Sequence, residues 1–492
     1  MSQPSVYLDP EGQWHLGPDV TGVQSDSRTI EPGNIFVAIE GHDRDGHDFL
    51  DDAAARGAIA AIIERPLPHS PIPTVQVIST RKAEAALAAR FYGDPARRLI
   101  VAGVTGTNGK TSVVYWIRHL LEGTNHPAGM LSSVENLTGL RHVEESHLTT
   151  PRATRVQGAL AEMVRRRLQY AVIEVSSHGL VQSRVDCVPF KVAVLTNITR
   201  EHLDYHKTMD NYIAAKARLF VELLLDDGIA VMNADDPYAP RIAQDVTARV
   251  MTYGVARGDV RGRILAEDAW HTAVAIEQEG DAHSRTVHIP FPGRYNVYNV
   301  LAAWTAGLAL GLDPDAMAAL IPDLPEVPGR FQVAAQGDGL TVLVDYAHTP
   351  DGLTQVLQTV RGLLQPQGRL WLVFGARGGR DRGKRPIMGG IAGRLADEVI
   401  VTADSPNQES AAEIAQSLTE GIKAEGKEPF ALELDRTRAI SLAVETALAG
   451  DVIVITGRGP EEEQYFGANR IVHMDDRNAA ASAMQRRLER ST

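Results

Sequence analysis

Leu99-Ile100-Val101-Ala102-Gly103-Val104-Thr105-Gly106-Thr107-Asn108-Gly109-Lys110-Thr111-Ser112 passes from an apolar run into a glycine-punctuated polar loop, and a helical stretch follows. An uninterrupted apolar run of this length is what a strand buried on both faces requires. Glycines then let the backbone curl so that successive N–H groups face an anion, and the opening helix adds its dipole. Lys110 is placed to neutralise β- and γ-phosphate oxygens, and the Thr111 hydroxyl to ligate Mg²⁺. The spacing departs from the strict Walker pattern, which wants its first glycine where Val104 stands. Strand, loop, Lys-Thr and helix still come in the order of an ATP site, with Gly106, Thr107, Asn108, Gly109, Lys110, Thr111 and Ser112 around the phosphates.

Outward from this loop, strands are expected at Tyr170–Val175, Val192–Asn197 and Gly228–Asn233, then at Leu340–Asp345, Arg369–Phe374, Glu398–Thr402 and Asp451–Thr456. Helical runs such as Ala411–Ala424 and Thr437–Ala449 separate them. Alternation of this kind predicts an α/β protein with parallel sheets covered on both faces. Before the loop, the shorter apolar runs Asn34–Ile39, Ala58–Ile63 and Pro73–Ile78 predict a small mixed α/β unit. Linkers at Asp94–Arg98 and Pro325–Gly329 divide the chain into 1–97, 98–328 and 329–492. The expected strands of the last two blocks end in polar residues: Glu174–His178, Asp345–His348, Gly375–Asp381, Asp404–Asn407 and Gly457–Glu463. Ligands of open α/β sheets bind at such carboxyl ends, so a cleft between two of these edges is the expected active site.

The 492 residues are long enough for three cores, and 44% hydrophobic with 23% charged residues is ordinary for a globular chain. A formal net charge of −13 argues against a general nucleic-acid or anionic-membrane binder. One cysteine, Cys187, rules out an internal disulfide framework and fits a reducing compartment; between Val185 and Val188 it is expected to be a small buried residue. The N-terminus lacks a basic segment followed by an apolar one. No apolar run approaches the ~18 residues of a bilayer span, so a cytoplasmic location without stable membrane insertion is expected.

Glu174, near a strand end, and His202, in Arg200-Glu201-His202-Leu203-Asp204-Tyr205-His206, are candidate Mg²⁺ ligands that phosphate oxygens would complete. Lys216, in Ala214-Ala215-Lys216-Ala217-Arg218, would by itself read as a snorkelling helix lysine. These segments, together with Gly103–Ser112, Thr196–His206, Gly293–Asn299 and Asp345–Pro350, resemble the Mur ligases. Glu174–Leu180, Ala347–Asp351 and Gly383–Pro386 point to the tripeptide-forming branch. The resemblance runs in order from about Ser25 to Glu463.

It implies a UDP-binding first domain, a central ATPase domain and a Rossmann-like third domain that receives an amino acid. The implied reaction joins a diamino acid to the D-Glu of UDP-N-acetylmuramoyl-L-Ala-D-Glu through an acyl phosphate, carried out by a monomer. Such chemistry needs positioning and charge neutralisation rather than a protein nucleophile. Lys110, Lys216, His202 and His348 are implied as catalytic, with Thr111, Glu174, His202 and Lys216 at the metal. Lys216 matches a lysine that CO₂ converts to a carbamate. Asn296, Asn299, Arg330 and Asp345 match nucleotide contacts. Ser27, His42, Asp43, Arg44, Thr149, Thr150, Ser176, Gln182 and Arg184 match contacts to the UDP-muramoyl dipeptide.

For the amino acid, Arg380, Asp404, Ser405, Asn407, Gly457 and Glu461 are implied. Family members that add meso-diaminopimelate carry Asp-Asn-Pro-Arg, whose arginine pairs with the distal carboxylate. Here Asp404-Ser405-Pro406-Asn407 stands instead, and asparagine supplies no charge-assisted fork. Asp404, Glu409, Glu461 and Glu462 leave the region acidic. L-Lysine or L-ornithine is therefore expected over meso-diaminopimelate, although Gly457-Arg458-Gly459-Pro460-Glu461 also departs from the usual Gly-Lys-Gly-His-Glu. A folylpolyglutamate synthase is disfavoured by Asp26-Ser27-Arg28 and Gly33–Gly46, which match a UDP-sugar domain. The ligase adding D-Ala-D-Ala is the other close alternative. A nucleotide-driven switch would differ by releasing phosphate without an amino acid.

Overall fold

The computed structural model describes residues 5–41, 44–139, 143–145, 148–268, 270–467 and 470–491. Ile100–Thr105 is a strand buried at every position after the first. It lies between Tyr170–Glu174 and Phe190–Leu195, parallel to both. Burial on both faces explains its apolar sequence. Trp116 of helix Lys110–Gly123 and Trp304 of helix Arg294–Ala309 belong to the core on one face. Leu160 of Ala153–Arg165 and Leu219 of Met209–Val221 belong to the core on the other.

The parallel reading covers only part of this sheet. Among the described residues it has eleven strands, and Val260–Glu267, Thr272–Gln278 and Arg285–Ile289 extend it as an antiparallel meander. These outer strands carry exposed positions between buried ones, so they lack the apolar continuity that marks inner strands.

A second sheet has six strands, Gln332–Gly337, Leu340–Asp345, Val452–Thr456, Leu370–Phe374, Glu398–Val401 and Ala431–Leu432 in spatial order. All pairs but the first are parallel. A third, of four parallel strands, runs from Gly22–Gln24 to Thr74–Gln76. Cys187 is exposed rather than buried. It sits with φ +65° in the turn before Phe190–Leu195, which sends Val185 and Val188 inward and leaves Cys187 outside.

Behind the strand ends of the six-stranded sheet, Arg436 lies fully buried and forks onto Asp476 at 2.7 Å through two nitrogens. It also donates to the Thr456 carbonyl at 2.8 Å. An Arg436→Ala chain leaves the Asp476 carboxylate buried without its partner and is expected to lose about 3–5 kcal/mol. Hydrogen exchange of Leu370–Phe374 and Val452–Thr456 in mild urea measures this; protection equal to the parent's contradicts it.

Candidate active site

The phosphate loop is shaped before any ligand arrives. A Cβ on Gly106 would lie 1.8 Å from Thr196 Oγ1, and Gly109 has φ +83°, so both positions require glycine. Strand-end residues Thr196 and Asn197 fix the loop. Thr107 N donates to the Asn197 carbonyl at 2.8 Å, Asn108 N to Asn197 Oδ1 at 2.9 Å, and Thr196 Oγ1 to the Asn108 carbonyl at 2.6 Å. Lys110 Nζ donates to the Thr107 carbonyl at 2.9 Å. Burial lowers its pKa, with Glu174 and Glu201 opposing.

All four groups singled out for a metal, Thr111, Glu174, His202 and Lys216, share this cavity. Glu174 Oε2 accepts from Thr111 Oγ1 at 3.1 Å and from the amide and hydroxyl of Ser133 at 2.9 and 3.0 Å. His202 has φ +54° and its ring meets His178 edge-on at 4.6 Å. Burial brings the His202 pKa down to about 2, so the ring is neutral with a lone pair to offer. Lys216 is 1% exposed, donates to the Gly106 carbonyl at 2.6 Å and lies 4.6 Å over the Tyr212 ring. Burial first, then Lys110, pushes its pKa well below the usual lysine range. A neutral amine is the form that reacts with CO₂. Hydroxyl, carboxylate and neutral imidazole suit a hard divalent cation that takes its remaining oxygens from phosphates. Among the described residues no group of three His, Cys, Asp or Glu is placed to hold a metal ion.

The two large sheets meet here. Glu201, fully buried, accepts from Lys384 Nζ at 3.2 Å and faces His348 Nε2 at 3.3 Å. Burial pushes the Glu201 carboxyl up, but His348 and Lys384 beside it outweigh that and hold it well below the carboxylate range. Beside this contact, Asn108 Nδ2 donates to Asp351 at 2.8 Å and Arg200 Nε to Asp381 at 3.2 Å. Arg330 donates to Thr111 Oγ1 at 3.1 Å and stacks over Tyr346 at 4.1 Å. Asp345 accepts from the Phe331 and Ala347 amides, both at 2.7 Å, so it fixes the turns that carry Arg330 and His348. Asn296 and Asn299 line the same cavity, of about 1290 Å³.

Thr149, Ser176 and Arg184 line the cavity, as do Arg380, Asp404, Gly457 and Glu461; Ser27, Arg44, Thr150, Gln182, Ser405 and Asn407 do not. Thr150 is committed internally: its hydroxyl donates to the Glu174 carbonyl at 2.8 Å and accepts from Ser176 N at 2.9 Å. Gln182 Oε1 accepts from Arg184 at 2.7 Å. Ser405 Oγ accepts from the buried Arg458 at 3.3 Å, and Asn407 Nδ2 donates to the Gly378 carbonyl at 2.7 Å. Ser27 and Arg44 belong to the four-stranded unit, which packs helix Thr80–Phe91 against Ala153–Arg165 of the central unit and accepts at Ser25 Oγ from Arg152 at 2.8 Å. His42 and Asp43 lie outside the described residues.

Sequence reasoning did not single out Glu201, Lys384, Ser133 or Arg377. Glu201 and Lys384 stand inside the motifs Arg200–His206 and Gly383–Pro386, where a charged residue beside the named ones was the available signal. Arg377 lies in the polar strand-end segment Gly375–Asp381, and Ser133 gave no signal.

Residues 19–92 match the family described as Mur ligase family, catalytic domain. Residues 104–307 match the Mur ligase middle domain, and residues 329–459 match Mur ligase, glutamate ligase domain. A UDP-N-acetylmuramoyl-L-alanyl-D-glutamate–2,6-diaminopimelate ligase of Geobacter metallireducens is 40% identical over 98% of this chain and 97% of its own length. The ligase of the same name from Synechococcus elongatus is 40% identical over 99% and 98%. A solved structure of a ligase so named superposes with a TM-score of 0.65 at 32% identity, covering 95% of each chain. With matches running through the four-, eleven- and six-stranded sheets and around the phosphate loop, this chain belongs to the Mur ligase family, the ATP-dependent ligases of peptidoglycan synthesis.

Proposed function

We propose that the chain joins 2,6-diaminopimelate to the D-Glu carboxyl of UDP-N-acetylmuramoyl-L-Ala-D-Glu, with ATP converted to ADP and phosphate. The observation that carries the ligase reading is Glu201 held by Lys384 and His348, which puts the phosphate loop opposite the strand ends of the six-stranded sheet. The names of the relatives support diaminopimelate. Asn407, turned onto the Gly378 carbonyl, favours a second reading, L-lysine or L-ornithine, because it offers no cation to a distal carboxylate. In this proposal residues 1–97 hold the uridine diphosphate, 98–328 the ATP and 329–492 the amino acid, in a cytoplasmic monomer.

The substrate carboxylate attacks the γ-phosphorus in line and ADP departs, leaving an acyl phosphate. The amine then adds to the acyl carbon, loses a proton and expels phosphate. Lys110 and the loop amides hold the β- and γ-oxygens, and Arg330 and Lys384 add positive charge from the opposite side. This is positioning and electrostatic stabilisation in a partly dry cleft. Mg²⁺ would be held by Thr111, Glu174, His202 and a carbamate on Lys216, and would neutralise phosphate charge. Thr149, Ser176 and Arg184 would align the dipeptide.

Purified protein given the UDP-dipeptide, ATP and Mg²⁺ is expected to release ADP only when an amino acid is present, with meso-diaminopimelate turned over in preference to L-lysine and L-ornithine. ADP release indifferent to amino acid would sink the ligase reading, and preference for L-lysine or L-ornithine would establish the second one. Lys216→Ala is expected to lower kcat by about 10²–10³-fold with an unchanged circular dichroism spectrum; near-parental turnover contradicts its role.

A further inference from the structure

Within the amino-acid end of the cleft, Arg377 and Glu461 face each other as a bidentate pair, Nη1–Oε1 3.2 Å and Nη2–Oε2 2.7 Å. Both line the cavity, and both side chains retain about a quarter of their exposure, 29% and 26%. Tyr346 donates to the same carboxylate at 3.3 Å. Among the other guanidiniums here, Arg436 and Arg458 are fully buried behind the strand ends and Arg382 and Arg385 pair with Glu409; Arg380 also lines the cavity but is exposed and acts on His178, whereas Arg377 stands against Glu461. Arg377 also arrives beside position 407. Asn407 Nδ2 bonds the Gly378 carbonyl at 2.7 Å, and Gly378 N bonds the Ser405 carbonyl at 2.9 Å. The loops 375–380 and 404–407 are thus laced together one residue from Arg377.

A guanidinium beside a carboxylate is the charge complement of an ammonium beside a carboxylate. The arginine fork takes the ligand's carboxylate in two parallel bonds, and the glutamate takes its ammonium. 2,6-Diaminopimelate carries an amino-carboxylate at each end, whereas L-lysine and L-ornithine carry one and a bare ammonium. We propose that Arg377, beside the Glu461 already implied for the amino acid, is the receptor for the distal carboxylate of diaminopimelate, its guanidinium being presented from the 375–380 loop where position 407 holds asparagine. This rests on diaminopimelate being the amino acid added. On binding, the pair opens from its mutual fork to an exchanged one, each member trading its partner for the ligand's opposite charge.

The full-length protein, Arg377→Ala and Arg377→Lys are compared in kcat/KM for meso-diaminopimelate and for L-lysine, with UDP-dipeptide and ATP saturating. The diaminopimelate-to-lysine ratio is expected to fall by about 10–100-fold in Arg377→Ala, mostly through KM for diaminopimelate. Arg377→Lys, which keeps the charge but not the fork, is expected to fall between, and it carries the test if the alanine chain does not fold. An unchanged ratio, or an equal loss with both amino acids, overturns the assignment. Refusal of diaminopimelate by the unmutated protein would instead overturn the substrate reading and this receptor with it, an outcome visible before any substitution is made.

Discussion

A carboxylate removed from water is stable only if polar or charged partners replace its hydration, and for Glu201 both of the side chains that face it, Lys384 and His348, come from the segments around the six-stranded sheet. The central sheet and the six-stranded sheet are therefore coupled by a charge that neither satisfies alone. Around that contact the weaker polar bonds from Asn108 to Asp351 and from Arg200 to Asp381 fall into register. The cleft follows from this arrangement. Two sets of strand carboxyl ends, each rich in polar groups because strands end where apolar burial ends, are held facing one another.

Inside the cleft, the surroundings set protonation more than residue type does. Lys216 is an ordinary helix lysine by composition, yet its burial beside Lys110 disfavours the ammonium. His202 stays neutral for the same reason, burial, even with Glu201 adjacent in sequence. Both are consequently poised as donors of lone pairs rather than as charges. The phosphate loop needs no such adjustment, because Thr196 and Asn197 fix its curvature through short hydrogen bonds.

At the amino-acid end, charge is layered. Arg436 and Asp476 form a dry pair at the back, Arg458 braces Ser405 and approaches Asp404 at 3.8 Å, and Arg377 with Glu461 forms the wet front. Burial raises the Asp404 pKa, but Arg377, Arg458 and Arg436 outweigh it and keep the carboxylate ionised. Such layering lets the front pair exchange partners while the rear pairs hold the loops still.

The amino-acid sequence by itself determined the α/β class, the inner strands and the phosphate loop. Leu340–Asp345 and Ala411–Ala424 were readable to the residue, because a strand buried on both faces, or a helix with one buried stripe, leaves its period in the chain. The same reasoning passed over Val260–Ile289, whose half-exposed strands carry a weaker pattern, and misplaced Cys187, whose exposure depends on a turn with positive φ. Tertiary structure alone decided which polar groups are free to meet a ligand. Thr150, Ser405 and Asn407 stand in the motifs but spend their hydrogen bonds inside the protein, whereas Glu201 gains its role from Lys384 and His348, 183 and 147 residues away, and Arg377 from Glu461, 84 residues away. Local periodicity encodes burial. Pairing between distant loops depends on how the sheets are laid against one another, and no short stretch of sequence records that.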